Sequence, residues 1–226
     1  CEAAEYADYR RAISIAYTPI STLLREEFFS FPDLVHEDFA RLTLRDVSEL
    51  RSFLLRKDAH LRRAEETYDL ACRAAQALVT RILEAAGEGP QTTDGDALEL
   101  EVSALEAIHD PAEHIEYAWG LPFAKELDDA GLFEEVRTQL RQNTLTACRI
   151  DPNDPKVASK IVPPTSAKGR GASDLVSAYL GATPLAGLFE ANVPISISDE
   201  VRFEHTHILG GSGHGKTQLL LHLIHH

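Results

Sequence analysis

Eight residues near the carboxyl end, Gly210-Gly211-Ser212-Gly213-His214-Gly215-Lys216-Thr217, have the types and spacing needed to grip a polyphosphate. They fit the pattern G-x-x-x-x-G-K-[ST]. A triphosphate is a concentrated anion. Backbone N–H groups must curl around it, with dihedrals and a close approach that a Cβ would obstruct. Gly210, Gly211, Gly213 and Gly215 give that freedom, with Ser212 and His214 completing the loop. Lys216 is the candidate catalytic residue, a mobile charge for the β- and γ-phosphates. Thr217 offers a hydroxyl to Mg²⁺, which shares the phosphate oxygens. The cofactors this chemistry calls for are ATP and Mg²⁺.

Such a loop has to be presented by a strand and closed by a helix. "VRFEHTHIL" reads as a strand running into the glycines, and "VPISISD" before it alternates Val193, Ile195 and Ile197 as a half-buried strand does. "GKTQLLLHLI" reads as a helix with Leu219, Leu220, Leu223 and Ile224 on one face. Its amino end would point unpaired N–H groups and a positive dipole end at the phosphates. His214 binds through its backbone, with its side chain toward solvent. His205 and His207, and His222, His225 and His226, have no nearby Cys or carboxylate to complete a metal site and read as ordinary histidines.

Hydrolysis also requires an acidic strand that holds Mg²⁺ and positions water. Nine residues follow Thr217. The expectation is a chain that contains the phosphate-gripping element, lacks the water-activating one and turns over no ATP alone. The chain contains no Met and starts with Cys, so it reads as a piece of a longer protein.

Composition bounds the rest. The 226 residues are 44% hydrophobic, ordinary for a soluble globular protein and enough for one or two domains. No apolar run approaches the roughly 20 residues of a membrane helix, and no signal peptide is visible. Three widely spaced cysteines read as reduced thiols of a cytoplasmic protein. Of the net charge of −14, residues 1–150 carry −13. An acidic module repels phosphate backbones, so DNA would have to be met by parts outside this chain.

Residues 1–42 suggest short helices interrupted by Pro19 and Pro32. From Leu44 to Ala86 there is neither Gly nor Pro, and Gly87 reads as a C-cap. Val47, Leu50, Leu54, Leu61, Ala64, Tyr68, Ala71, Ala75, Leu78, Ile82 and Ala85 recur at steps of three and four, with Lys57 breaking the register. That spacing predicts a single helix, roughly 60 Å long, with one narrow apolar seam to bury against a neighbour. After a loop, with Asp94 or Asp96 as a cap, "ALELEVSALEAIH" reads as a helix on Leu98, Val102, Leu105 and Ile108, returning along the long one. Further helices break near "HDP" and "WGLP", Trp119 reads as a core or interface anchor, and "DDAGLFEEVRTQLRQNTLTACRI" holds one more amphipathic helix. "DPNDPKVASKIVPPTSAKGRGAS" has no hydrophobic period and reads as a linker or exposed connection. Asp174 then starts a short helix that Gly181 and Pro184 end.

At "ATPLAGLFEANVPISISDEVRFEHTHILGGSGHGKTQLLLHLI" the sequence resembles the HerA/FtsK superfamily of hexameric DNA-pumping ATPases, and within it the TraD/TraG-like conjugative coupling proteins of type IV secretion. The likeness rests on Val193–Ile197, Arg202, His205, Ile208–Leu209 and Gly210–Thr217. It implies a RecA-like α/β ATPase that assembles as a homo-oligomeric ring and moves DNA. Coupling proteins usually carry amino-terminal membrane helices, and this chain shows none.

The combined reading is an α-helical amino-terminal module (long helix, hairpin or bundle) over residues 1–150, a linker over 151–172, and the start of an α/β RecA-like P-loop NTPase domain over 173–226. The module would serve assembly or a partner protein. Two other readings are a helical scaffold or adaptor in a multiprotein assembly, and a P-loop enzyme of another branch, such as a kinase or ABC-type ATPase.

Overall fold

Thr43 and Asp46 open the first long helix by satisfying each other's backbone. The Asp46 N–H donates to Thr43 Oγ1 at 3.2 Å, and the Thr43 N–H donates to Asp46 Oδ2 at 2.8 Å. This reciprocal cap fills two donor positions that a helix start leaves unpaired. The computed structural model describes residues 17–29, 41–86 and 97–198. Residues 17–29 are helical and are called α1 here; α2 spans Leu44–Arg62 and α3 spans Ala64–Ala85. Pro19 therefore lies within helical residues rather than interrupting them.

The single long helix predicted from Leu44 to Ala86 is two helices. Arg63 leaves helical dihedrals (φ −129°, ψ 34°) and separates α2 from α3. Thr67 sits below the break, its hydroxyl donating to the Arg63 carbonyl at 2.9 Å. A hydroxyl that bonds the preceding turn is a known way of bending a helix. The predicted seam divides at the same place. On α3, Ala71, Ala75, Leu78 and Ile82 are buried as expected. On α2 and into the first turn of α3, the buried residues are Asp46, Phe53, His60 and Thr67, each one position before a predicted seam residue. Val47, Leu54, Leu61 and Tyr68 are exposed instead. One residue of a helix is about 100° of rotation, so α2 turns a neighbouring stripe inward.

The segment predicted as a returning helix is a strand. Ala97–Ser103 forms β1, and Asn192–Ser198 forms β2; the two make a two-stranded sheet. The Ala104 N–H donates to the Ala191 carbonyl at 2.8 Å, so the end of β1 lies beside the start of β2 and the strands run antiparallel. Leu98, Leu100 and Val102 alternate with Glu99 and Glu101, a period of two that prevails over the competing three-and-four spacing. Ser103 and Glu106 then form a second reciprocal cap, which opens the one-turn helix α4, Ala104–Ala107.

Pro111 begins α5, Pro111–Gly120, and a 3₁₀ turn, Leu121–Phe123, ends it, as the "HDP" and "WGLP" breaks predict. The short α6, Lys125–Asp129, leads to α7, Glu134–Cys148, which is bounded by left-handed residues Phe133 (φ 59°) and Arg149 (φ 55°). One further turn, α8, is Val157–Lys160. Then α9, Ala172–Leu175, widens into a π-helical turn, Val176–Leu180, which stops at Gly181, and α10 is Ala186–Glu190. Asp174 lies in the first turn of α9, with Gly171 at the cap.

The core gathers α3, α5, α7 and the 175–189 segment. Ile115, Leu140, Tyr179, Leu185 and Phe189 are buried at its centre. Trp119 is an anchor, as read: its Nε1–H donates to Thr144 Oγ1 at 2.9 Å and its ring meets Tyr179 edge-on. Residues 151–172 are exposed over much of their length but are fastened to this core. Glu116 accepts from the Thr165 N–H at 3.1 Å, Tyr179 Oη donates to the Val162 carbonyl at 2.7 Å, and Arg170 donates to the Ala147 carbonyl at 2.7 Å. They form an exposed connection under restraint.

The chain divides into two compact units, one of Cys1–Glu88 with Glu101–Pro194 and one of Gly89–Leu100 with Ile195–His226. The described residues are mostly helical, and no helix among them is long and apolar enough to cross a membrane.

Candidate functional site

The phosphate-loop residues Gly210, Gly211, Ser212, Gly213, His214, Gly215, Lys216 and Thr217 lie outside the described residues. So do the predicted strand at 201–209, the helix after the loop and the six histidines at 205, 207, 214, 222, 225 and 226. What is described is the strand that leads toward them. β2 leaves α10 at Ala191, and Val193, its second residue, is completely buried. The strand predicted from the Val193, Ile195, Ile197 alternation is therefore present.

Among the described residues, one group of largely buried ionisable side chains joins α1, α2 and the turn before α7. Glu27 on α1 accepts from the Phe133 N–H at 3.0 Å through Oε2. Its Oε1 lies 3.6 Å from His60 Nε2 on α2, and Lys57 Nζ donates to the Glu27 carbonyl oxygen. Burial pushes the Glu27 carboxyl above its usual range, against the opposing pull of the Phe133 N–H, Arg56 and Lys57. Burial lowers His60, helped by Lys57 and opposed by the Gly131 carbonyl. Lys57 is also lowered, chiefly by burial. Both ring nitrogens of His60 are buried without a well-formed hydrogen bond, and the Gly131 backbone is the acceptor in weaker reach. Nearby, Arg56 reaches Glu135 at 2.8 Å and Glu134 at 3.3 Å, tying α2 to the first turn of α7. The cluster fastens three elements together. With Glu27 and His60 nearly closed off from solvent, it holds helices rather than presenting an acid and a base to a substrate.

Sequence reasoning missed this cluster, although one signal of it was visible. Lys57 is the residue that breaks the apolar register of the helix, and its ammonium is the one that reaches the α1 carbonyl. The helical pattern marked the position as exceptional but could not supply the partner, which lies 30 residues away.

An open cleft of ≈ 560 Å³ lies between α1 and the 177–191 segment. Thr18, Thr22, Ser177 and Thr183 line it with hydroxyls, and Glu190 is its one charged residue. A wall with a carboxylate and no cation does not suit a phosphate. Among the described residues, no group of His, Cys, Asp and Glu could hold a metal ion, and Cys72 and Cys148 are free thiols. No protein-family model, no curated protein and no solved structure matches the chain.

Proposed function

We propose that this chain belongs to an ATP-driven, DNA-translocating motor of the HerA/FtsK and conjugative-coupling type, working in the cytoplasm as a homo-oligomeric ring. The observation that carries the reading is the sequence Gly210–Thr217, placed shortly after a strand, β2. In this reading residues beyond β2 build a RecA-like α/β domain. The loop backbone from Gly210 to Gly215 cradles the phosphates of ATP, Lys216 neutralises the charge at the β- and γ-phosphates, and Thr217 ligates Mg²⁺. When bound, the metal–nucleotide pair supplies the phosphoryl group and neutralises its charge. The chain's own residues bind and orient it. DNA is engaged by parts of the protein other than this acidic helical module, which serves assembly or a partner.

The test is ATP hydrolysis by the gene product that carries this chain, with and without duplex DNA. A DNA-stimulated rate that Lys216→Ala reduces by about 10² or more supports the motor. Hydrolysis indifferent both to DNA and to that substitution refutes it.

A second reading has its own support. The exposed apolar side chains of α2 favour a helical scaffold or adaptor, in which protein contact is the activity of this region. Loss of complex assembly on mutating α2, with ATPase activity unchanged, would favour it.

A further inference from the structure

The α2 helix carries an apolar face that points away from the core. Leu44 is 91% exposed, Val47 49%, Leu54 54%, Leu55 61% and Leu61 77%. Isolated exposed leucines need no explanation, but five large apolar side chains on one 19-residue helix form a stripe. At about 100° per residue, all five fall within roughly 120° of one another around the helix. Arg51 and Asp58 lie on the midline of that stripe, seven residues and about 20° apart. Arg51 is exposed and has no ion pair among the described residues. Asp58 accepts from Arg62 Nε at 2.8 Å and, as a carboxylate, has room for a second donor.

Four of these residues are arranged symmetrically along the helix. Leu54 and Leu55 are central, the cation Arg51 stands three residues before Leu54, and the anion Asp58 stands three residues after Leu55. We propose that this face docks on the same face of a second copy, with the two α2 helices antiparallel about a two-fold axis through Leu54 and Leu55. The axis sets Leu54 on Leu54 and Leu55 on Leu55 of the two copies. It brings each Arg51 to the opposite Asp58, twice over, and lays Val47 along the aliphatic stem of the opposite Arg62. A parallel pair would set Arg51 on Arg51 and Asp58 on Asp58, so charge selects the antiparallel arrangement. An isologous contact of this kind is self-complementary and closes at two copies.

A helix of this length is about 28 Å long, and one face of it covers less than the roughly 800 Å² per partner of a durable interface. The dimer is therefore a weak, concentration-dependent one. The proposal does not rest on the phosphate-loop reading, and Lys216→Ala should leave the association unchanged.

Sedimentation velocity of the chain up to several hundred micromolar tests it, with circular dichroism to confirm that each variant is folded. The expected result is a reversible monomer–dimer equilibrium. Arg51→Asp should weaken it roughly tenfold or more, and adding Asp58→Arg in the same chain should restore it. Leu55→Asp and, separately, Leu61→Glu should leave monomer only. A monomer at every concentration overturns the proposal and leaves the face for a different protein. So does a dimer indifferent to Arg51→Asp, or one that the double charge swap fails to restore.

Discussion

Glu27 and His60 face each other across α1 and α2, carboxylate oxygen to imidazole nitrogen at 3.6 Å, with side chains only 9% and 6% exposed. Burial dominates both, so each is held toward its neutral form. The two then pull stability in opposite directions with pH. Above the ordinary carboxyl value of 4.5, Glu27 ionises in the unfolded chain before it does in the fold, and stability falls as pH rises toward the raised folded value. Below the ordinary imidazole value of 6.5, His60 charges in the unfolded chain first, and stability falls as pH drops toward the lowered folded value. Glu27→Gln should therefore gain in melting temperature relative to the parent as pH rises from 4 to 8. His60→Gln should gain as pH falls over the same range. Thermal melts followed by circular dichroism across that range check this, and parallel curves for parent and variants would contradict it.

Gly181 ends the π-helical turn where an added Cβ would collide with the Ser177 carbonyl oxygen. That obstacle is backbone and cannot swing aside. Asn143 also holds the spot, donating from Nδ2 to the Gly181 carbonyl at 2.7 Å. Gly181→Ala should cost about 1–3 kcal/mol. At Gly171 an added Cβ meets only the Asp174 carboxylate at 3.7 Å, an ordinary contact, so Gly171→Ala should be within about 0.5 kcal/mol of the parent. Urea unfolding of both variants measures the contrast; equal losses would show that the turn can relax.

Trp119 is the chain's one tryptophan, and its indole N–H donates to Thr144 Oγ1, which itself donates to the Leu140 carbonyl at 2.7 Å. Trp119→Phe keeps an aromatic ring but leaves that hydroxyl without its donor. The expected loss is about 1–2 kcal/mol. Thr144→Val should cost a similar amount, and the double variant should cost less than the sum, because the two share one bond. Additive losses in chemical unfolding would separate them.

The connection at 151–172 offers a test of its fastening. Tyr179→Phe removes the hydroxyl that holds Val162, and Glu116→Ala removes the acceptor for Thr165. Together they should speed tryptic cleavage after Lys156 and Lys160 several-fold while global stability changes little, since local opening governs cleavage there. Unchanged cleavage would mean that packing alone holds the segment.

Local signals made part of this architecture legible. Pro111 and the Gly120–Pro122 run bounded α5, the apolar spacing of "LFEEVRTQLRQNTL" gave α7, and the Val193, Ile195, Ile197 alternation gave β2. The failures came where distant partners decide. Nothing in the residues around Arg63 announces a break; the Thr67 hydroxyl bond that accompanies it becomes visible only in the folded chain. "ALELEVS" satisfies two periods at once, and its pairing with β2, far along the chain, settles which one holds. The α2 stripe is offset by one residue because Phe53 and His60, rather than Leu54 and Leu61, meet the rest of the molecule. For the candidate site, residue types named the loop, whereas the Glu27–His60 cluster left only Lys57 as a trace.

The central claim is that Gly210–Thr217 grips a nucleotide triphosphate, and calorimetric titration of Mg²⁺–ATP into the chain tests it most directly. The account predicts saturable one-to-one binding, weakened about tenfold or more by Lys216→Ala, with Thr217→Ala removing the Mg²⁺ dependence. Absence of binding by the folded chain, or binding that neither substitution alters, would contradict it.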